Sequence, residues 1–363
     1  MGARSRLRLL GAAEVTYGEI MQLSQGCESS KVAHVRHMQH GDVRRFDREM
    51  VLRDDKVVIP AKHEGRTIAR TLTYLLHDVG FAPEQIIVLV NGDTHDADGR
   101  VDDTAVRALE VSTAIAVRHQ SDLLEPLMAR LALTYGIAQE RLHGKGTALF
   151  SACLALESLD LMPEARVFFL DADIQNAVEV EPVQRLMVGA LNFQEARLVK
   201  LASLGRDNAG IHAFLATLGC PYNAIGALRW PLCGQAMVHW GDLRGMRLAG
   251  GYAVEMAMMM DLIERADGDP KIFAEVEINV PLIDKRNTDQ IHVRMYFEIM
   301  EFISRVRATR TPLCALTDEH LRSINGMDIA RLWVPVAQQG NGPNQLEHRY
   351  PDVIFPSVEE LFP

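Results

Sequence analysis

A chain of 363 residues with 48 acidic against 38 Lys and Arg side chains carries a formal net charge of −10. That balance argues against a nucleic-acid binder, whose phosphate contacts need a basic face. Apolar residues at 48% and charged residues at 24% fit a globular protein with room for one large domain or two smaller ones. No run of about 18 apolar residues occurs, so no membrane span is expected. The five cysteines are scattered and lack CxxC spacing, which fits reduced thiols in a cytoplasmic protein better than a disulfide framework.

Residues 1–50 are mixed in character. His34, His37 and His40 recur every third residue, which puts them near one helix face as either a metal site or a solvated extension packed on the body. Regular alternation starts at Lys56. A strand is expected over 57–59, a loop over 60–65 and a helix over 67–78, where Ile68, Leu72, Leu75 and Leu76 share a face. A second strand over 86–90 runs into the loop 91–96, followed by a helix over 102–111 and a strand over 114–117. An amphipathic helix over 121–135 ends near Gly136. The loop 143–146 opens a helix over 147–158, and a buried strand over 167–170 ends at Asp171-Ala172-Asp173.

Strand and helix in alternation predict an α/β fold with a mostly parallel sheet covered by helices. Ligands bind at the carboxyl ends of such strands. Loops 60–65, 91–96 and 171–173 lie at those ends and are grouped into one site. Beyond 175 the spacing predicts a helix over 183–191, a strand over 197–202, and a stretch punctuated by Trp, Pro and Gly over 229–234. A Met-rich helix follows over 253–265, then a strand over 273–280, a polar loop over 284–288 and a long helix over 290–307. From Val336 the chain is polar, with a loop over 338–344. The organisation reads as an N-terminal extension (1–50), an α/β core (51–290) and a C-terminal helical segment and tail (291–363).

The chemistry concentrates in a few places. Residues i and i+2 at a strand end point the same way, so Asp171 and Asp173 can share a hard cation such as Mg²⁺ or Mn²⁺. Lys145 stands between Gly144 and Gly146 just before a helix, where it can meet a phosphate or remain a solvated turn. The spacing is not that of a P-loop. Glu64 can accept hydrogen bonds from a ribose or base, or be an ordinary loop residue. Glu255 opens a helix after two glycines, as a carboxylate for substrate hydroxyls or a dipole-favoured residue. Arg286 and Asn287 can hold a phosphate or carboxylate, or form a polar turn. The methionines of 256–260 read as core.

In combination these segments resemble the GT-A nucleotide-sugar glycosyltransferases. Val57-Val-Ile-Pro-Ala-Lys-His-Glu64 is similar to the opening strand of that fold with His63 in the usual Asn place, and Asp171-Ala-Asp173 to its DXD motif. Gly144-Lys-Gly146, Pro231-Leu-Cys-Gly234 and Gly250-Gly-Tyr-Ala-Val-Glu255 most resemble the glucosyl-3-phosphoglycerate synthase and mannosylglycerate synthase group, over roughly residues 55–290. The resemblance implies a GT-A sheet with a helical C-terminal extension. It implies a retaining transfer of a hexose from a UDP- or GDP-sugar to a small anionic acceptor such as 3-phosphoglycerate or glycerate, in a homodimer.

By residue, the resemblance places the donor against Pro60, Ala61, Glu64, Asn91, Gly144, Lys145, Asp171, Ala172 and Asp173. The acceptor falls to Gly234, Glu255, Arg286 and Asn287, and the catalytic roles to Asp173, Glu255 and Lys145. The Mg²⁺ or Mn²⁺ ion is carried by Asp171 and Asp173. Lys285 stands where those synthases carry a metal-binding His, which leaves His292, water or the Lys ammonium itself to take that place. Two relatives of the same reading are a transferase for a lipid-phosphate or other polar acceptor and a silent sugar-nucleotide binder. A phosphatase using Asp-X-Asp fits poorly, since Gln175 occupies the position where that class commonly has Thr.

Overall fold

The computed structural model describes residues 36–38, 46–92, 95, 99–142, 144–203, 221–278, 280–283, 295, 298–299, 302–303 and 353–362. Eight strands form one sheet. In chain order they are β1 (Arg36–Met38), β2 (Lys56–Ala61), β3 (Ile86–Val90), β4 (Ala116–His119), β5 (Arg166–Phe169), β6 (Leu198–Ser203), β7 (Ala236–His239) and β8 (Phe273–Ile278). They lie in the order β1-β8-β6-β7-β5-β2-β3-β4. Every neighbouring pair is parallel except that β7 runs antiparallel to both β5 and β6.

The helices cover both faces, as the fully buried strands β3 and β5 require. Alternate residues split between two cores. Val58, Ile87, Leu89, Phe169 and Val238 face one, and Val57, Ile59, Val88, Phe168 and Met237 face the other. Helices α1 (Ile68–Thr73), α2 (Thr104–Val111), α3 (Gln120–Leu124), α4 (Met128–Tyr135), α5 (Lys145–Glu157), α6 (Ala177–Val180), α7 (Pro182–Asn192), α8 (Trp240–Gly245), α9 (Val254–Arg265) and α10 (Val358–Leu361) follow in order. Helix α5 is buried on every side from Gly146 to Leu156. The C-terminal segment closes over it, and the Phe355 ring stacks on Phe150 with centroids 4.4 Å apart.

Several local readings change. The helix expected over 121–135 is two helices separated by a 3₁₀ turn at Glu125–Leu127, because Pro126 cannot donate to the preceding turn. The helix expected over 67–78 passes into one π turn at Tyr74–Val79 and stops at Gly80, whose φ of 94° is easy for glycine. His37 lies in β1, so the three-residue spacing of the histidines does not build a helix face there; His34 and His40 lie outside the described residues. Strand β7 was not legible, being four residues long and hidden behind the 229–234 punctuation. The helix expected over 290–307 is described at Met295, Glu298, Ile299, Phe302 and Ile303, which are helical, and the loop 338–344 lies outside the described residues. Among the described residues no helix is long and apolar enough to cross a membrane.

Candidate functional site

Three side chains from distant parts of the chain meet at the carboxyl edge of the sheet. Lys145 opens α5, Asp171 follows β5, and Glu255 sits in the first turn of α9. The Lys145 Nζ lies 2.8 Å from Glu255 Oε1 and 3.1 Å from Asp171 Oδ1. Burial disfavours the ammonium, but the two carboxylates outweigh it and hold the lysine pKa well above its ordinary value. The solvated-turn alternative for Lys145 therefore does not hold.

The flanking glycines explain how the lysine gets there. Gly144 takes φ 86° and ψ −179° as the helix cap, a conformation that suits glycine. A Cβ on Gly146 would overlap the Ala249 carbonyl and come within 2.9 Å of Gly250 Cα. The first turn of α5 thus packs directly on the 249–251 backbone, which leads to Glu255. Gly234 has a similar role on the opposite wall, since a Cβ there would overlap the Asp171 carboxylate and lie 2.7 Å from Lys145 Nζ.

Asp171 is bonded through both oxygens. Its Oδ1 faces Lys145, and its Oδ2 accepts a 2.7 Å hydrogen bond from Gln235 Nε2. Gln235 Oε1 in turn accepts from the Cys233 thiol at 3.0 Å. Asp173 remains half-exposed on the turn beyond, while Ala172 is buried. Among the described residues no group of three His, Cys, Asp or Glu side chains is gathered around a metal position. A cation held at this edge by carboxylates would take substrate phosphates and water as its other ligands, an arrangement that suits Mg²⁺. Asp171 and Asp173, expected from their spacing to share one, both stand at this edge.

The donor-side loops form a second, adjoining wall. Pro60 lines the pocket together with Lys145, Asp171, Gly234 and Glu255. Ala61 is buried, and its carbonyl accepts the Asn91 N–H at 2.9 Å, which pins the loops after β2 and β3 together. Glu64 accepts from the Thr67 hydroxyl at 3.1 Å and donates its N–H to Thr104 Oγ1 at 2.8 Å. Glu64 and Asn91 lie on the same edge but do not line the pocket.

A clamp that sequence reasoning missed holds the 60–65 loop. The Asp102 carboxylate accepts the N–H groups of His63 (3.0 Å) and Thr104 (2.9 Å). Burial works against its charge, yet the Thr104 hydroxyl, which also donates to it, and these N–H groups hold its pKa below the usual range. His63 is fixed at φ 55°, uncommon for a residue with a Cβ. The sequence signal was present in Asp102-Asp-Thr104, which reads only as a helix start. Lys200, Cys233 and Gln235 were also missed. Arg286, Asn287 and His292, with Lys285, lie outside the described residues.

No family model and no curated protein matches the chain. Solved structures do. Glucosyl-3-phosphoglycerate synthase from Mycobacterium tuberculosis, in complex with Mn²⁺ and UDP-glucose, is similar with a TM-score of 0.62 at 19% identity, covering 91% of this chain and 100% of that one. Its complex with phosphoglyceric acid gives 0.61 at 20%, covering 90% and 99%. Its complex with Mn²⁺, UDP-glucose and glycerol 3-phosphate gives 0.58 at 20%, covering 97% and 98%.

The chain has the GT-A fold. The GT-A likeness extends over the sheet and its covering helices, and at this identity it is a likeness of fold. It agrees with the mostly parallel, helix-covered sheet expected from the sequence.

Proposed function

We propose that the protein is a glycosyltransferase that moves a hexose from a nucleoside diphosphate sugar to a small anionic acceptor. The observation that carries this is the convergence of Lys145, Asp171 and Glu255 at the carboxyl edge of a GT-A sheet. The similar M. tuberculosis enzyme was crystallised with UDP-glucose and with phosphoglyceric acid, which supports a UDP-hexose donor, with a GDP-hexose as the alternative, and a glycerate-type acceptor here.

In this reading the 60–65 loop and Asn91 receive the nucleoside, with Glu64 accepting from it. Lys145 faces the diphosphate. As the glycosidic bond breaks, negative charge grows on the leaving phosphates, and a preorganised ammonium there lowers the barrier without reorganising. Asp171 and Glu255 hold that ammonium in place. Glu255 also lies on the side of the sugar and acceptor, with Gly234 as the opposite wall and Arg286 and Asn287 as acceptor contacts. A divalent ion, Mg²⁺ or Mn²⁺, would be held by Asp173 together with Asp171 and would supply Lewis-acid stabilisation of the leaving diphosphate. His292 stays a candidate further ligand. No side chain is assigned as a nucleophile, in keeping with a retaining transfer, and a homodimer is part of the proposal.

The test is acceptor-dependent release of nucleoside diphosphate. Purified protein is incubated with UDP- or GDP-hexose, Mg²⁺ or Mn²⁺, and glycerate or 3-phosphoglycerate. Release that requires one of these acceptors, with a product retaining the donor's anomeric configuration, is expected. Absence of transfer from either nucleotide class to either acceptor would refute the proposal.

A further inference from the structure

Beneath the pocket lies a charge that the reaction above does not use. Lys200, in the middle of β6, is 2% exposed yet lines the same pocket as Lys145, Asp171 and Glu255. Burial pushes its pKa down, so its ammonium needs carboxylates nearby. The sheet register supplies one. Lys200 lies opposite Glu275 of β8, itself 1% exposed, and residues paired across neighbouring strands share a face. On the other side Lys200 is in register with Ala236 of β7, whose methyl group leaves room for a long side chain.

Glu275 has a second set of partners. Its Oε2 accepts the Arg229 N–H and its Oε1 the Trp230 N–H, both at 2.8 Å. Those two residues begin the segment that ends at Gly234, and the Cys233 N–H closes a turn within it onto the Trp230 carbonyl at 3.2 Å. Gly234 then abuts Asp171 and Lys145. A bonded path therefore runs from Glu275, the register neighbour of the buried Lys200, through a loop to the wall of the pocket.

We propose that Lys200 is a positioning residue. In register beside Glu275, its charge steadies the buried carboxylate that holds segment 229–234, so that Gly234 stays seated against Asp171 and Lys145. Its catalytic consequence rests on the function proposed above, whereas the anchoring itself does not.

Cys233 allows the anchoring to be read without activity. It is fully buried within the segment, and Cys153, 1% exposed in α5, serves as an internal control. Burial pushes the Cys233 thiol up to about 12, and the Lys200 charge works to lower it. Loss of that charge alone would therefore slow alkylation, so any acceleration reports opening of the segment.

The experiment is iodoacetamide labelling of the full chain, read by peptide mass spectrometry, in the wild type and in Lys200→Met. Labelling of Cys233 is expected to accelerate by about tenfold or more while Cys153 is unchanged, the signature of local opening. Where Lys200→Met fails to fold, Lys200→Gln is measured instead, with the same expectation. A wild-type rate at Cys233 in a folded variant, or equal acceleration at both cysteines, overturns the proposal. In the transfer assay Lys200→Met is expected to lower kcat by about tenfold with the donor KM within about threefold. A wild type that transfers no sugar refutes the proposed function, and the thiol result still decides the role of Lys200.

Discussion

Lys145 and Glu255 stand 2.8 Å apart although each opens its own helix, α5 and α9. Two helix starts meet because Gly146 lets α5 lie directly on the 249–251 backbone. The pair, with Asp171, forms a small charge network at 10–30% side-chain exposure, where ion pairs are worth more than on an open surface.

Removing the cation should therefore cost both stability and function. Lys145→Met leaves two carboxylates facing each other's former partner, and urea unfolding is expected to show a loss of about 1–3 kcal/mol after allowing for partial exposure. Lys145→Met/Glu255→Gln should recover part of that stability while remaining inactive. Full activity in either variant would exclude Lys145 from the chemistry.

Gly234 makes a sharper probe. Its φ lies outside the left-handed region, so alanine fits the backbone, but the new Cβ would press on Lys145 Nζ and Asp171. Gly234→Ala is expected to keep its melting temperature within a few degrees and to lose about tenfold or more in kcat/KM. An unaffected kcat/KM would show that this wall does not shape the reacting geometry.

The path from sequence to site was legible where chemistry and punctuation coincide. Asp171, Lys145 and Glu255 each sit at a strand end or helix start marked by glycine or a carboxylate pair, and alternation predicted the sheet edge that gathers them. Lys200 was not legible. A lone lysine in a strand says nothing of its cross-strand partner, because the pairing with Glu275 is fixed by register between segments 75 residues apart. Strand β7 failed for a related reason: its direction and place between β5 and β6 are tertiary facts that four apolar residues do not encode.

Asp261 on α9 gives a pH-dependent prediction. Burial pushes its carboxyl up to about 6 from an ordinary 3.8, against the opposing charge of Arg265 at 3.2 Å. The folded state takes up this proton near pH 6 and the unfolded chain only near 3.8, so the contribution to stability grows as pH falls through 6. Relative to Asp261→Asn, the wild type should gain about 1–3 kcal/mol between pH 7 and pH 4. A difference that stays flat over that interval, in denaturant titrations at each pH, would contradict the buried carboxyl.

At the opposite end of β5, Arg166 and Asp55 form a buried pair, with Arg166 Nε donating to Asp55 Oδ1 at 2.9 Å. Arg166→Met strands the Asp55 carboxylate, and a loss of about 3–5 kcal/mol is expected from equilibrium unfolding. A loss below about 1 kcal/mol would mean that the pair contributes no more than a surface contact.

The central claim is a nucleoside diphosphate site at this edge of the sheet, and calorimetric titration with UDP and GDP tests it most directly. The measurement is made on the wild type and on Asp173→Ala, with Mn²⁺ and with EDTA. Binding of one nucleotide in Mn²⁺, greatly weakened by EDTA and by Asp173→Ala, is the predicted result. Absence of binding by either nucleotide, or binding indifferent to both the metal and Asp173, would contradict it.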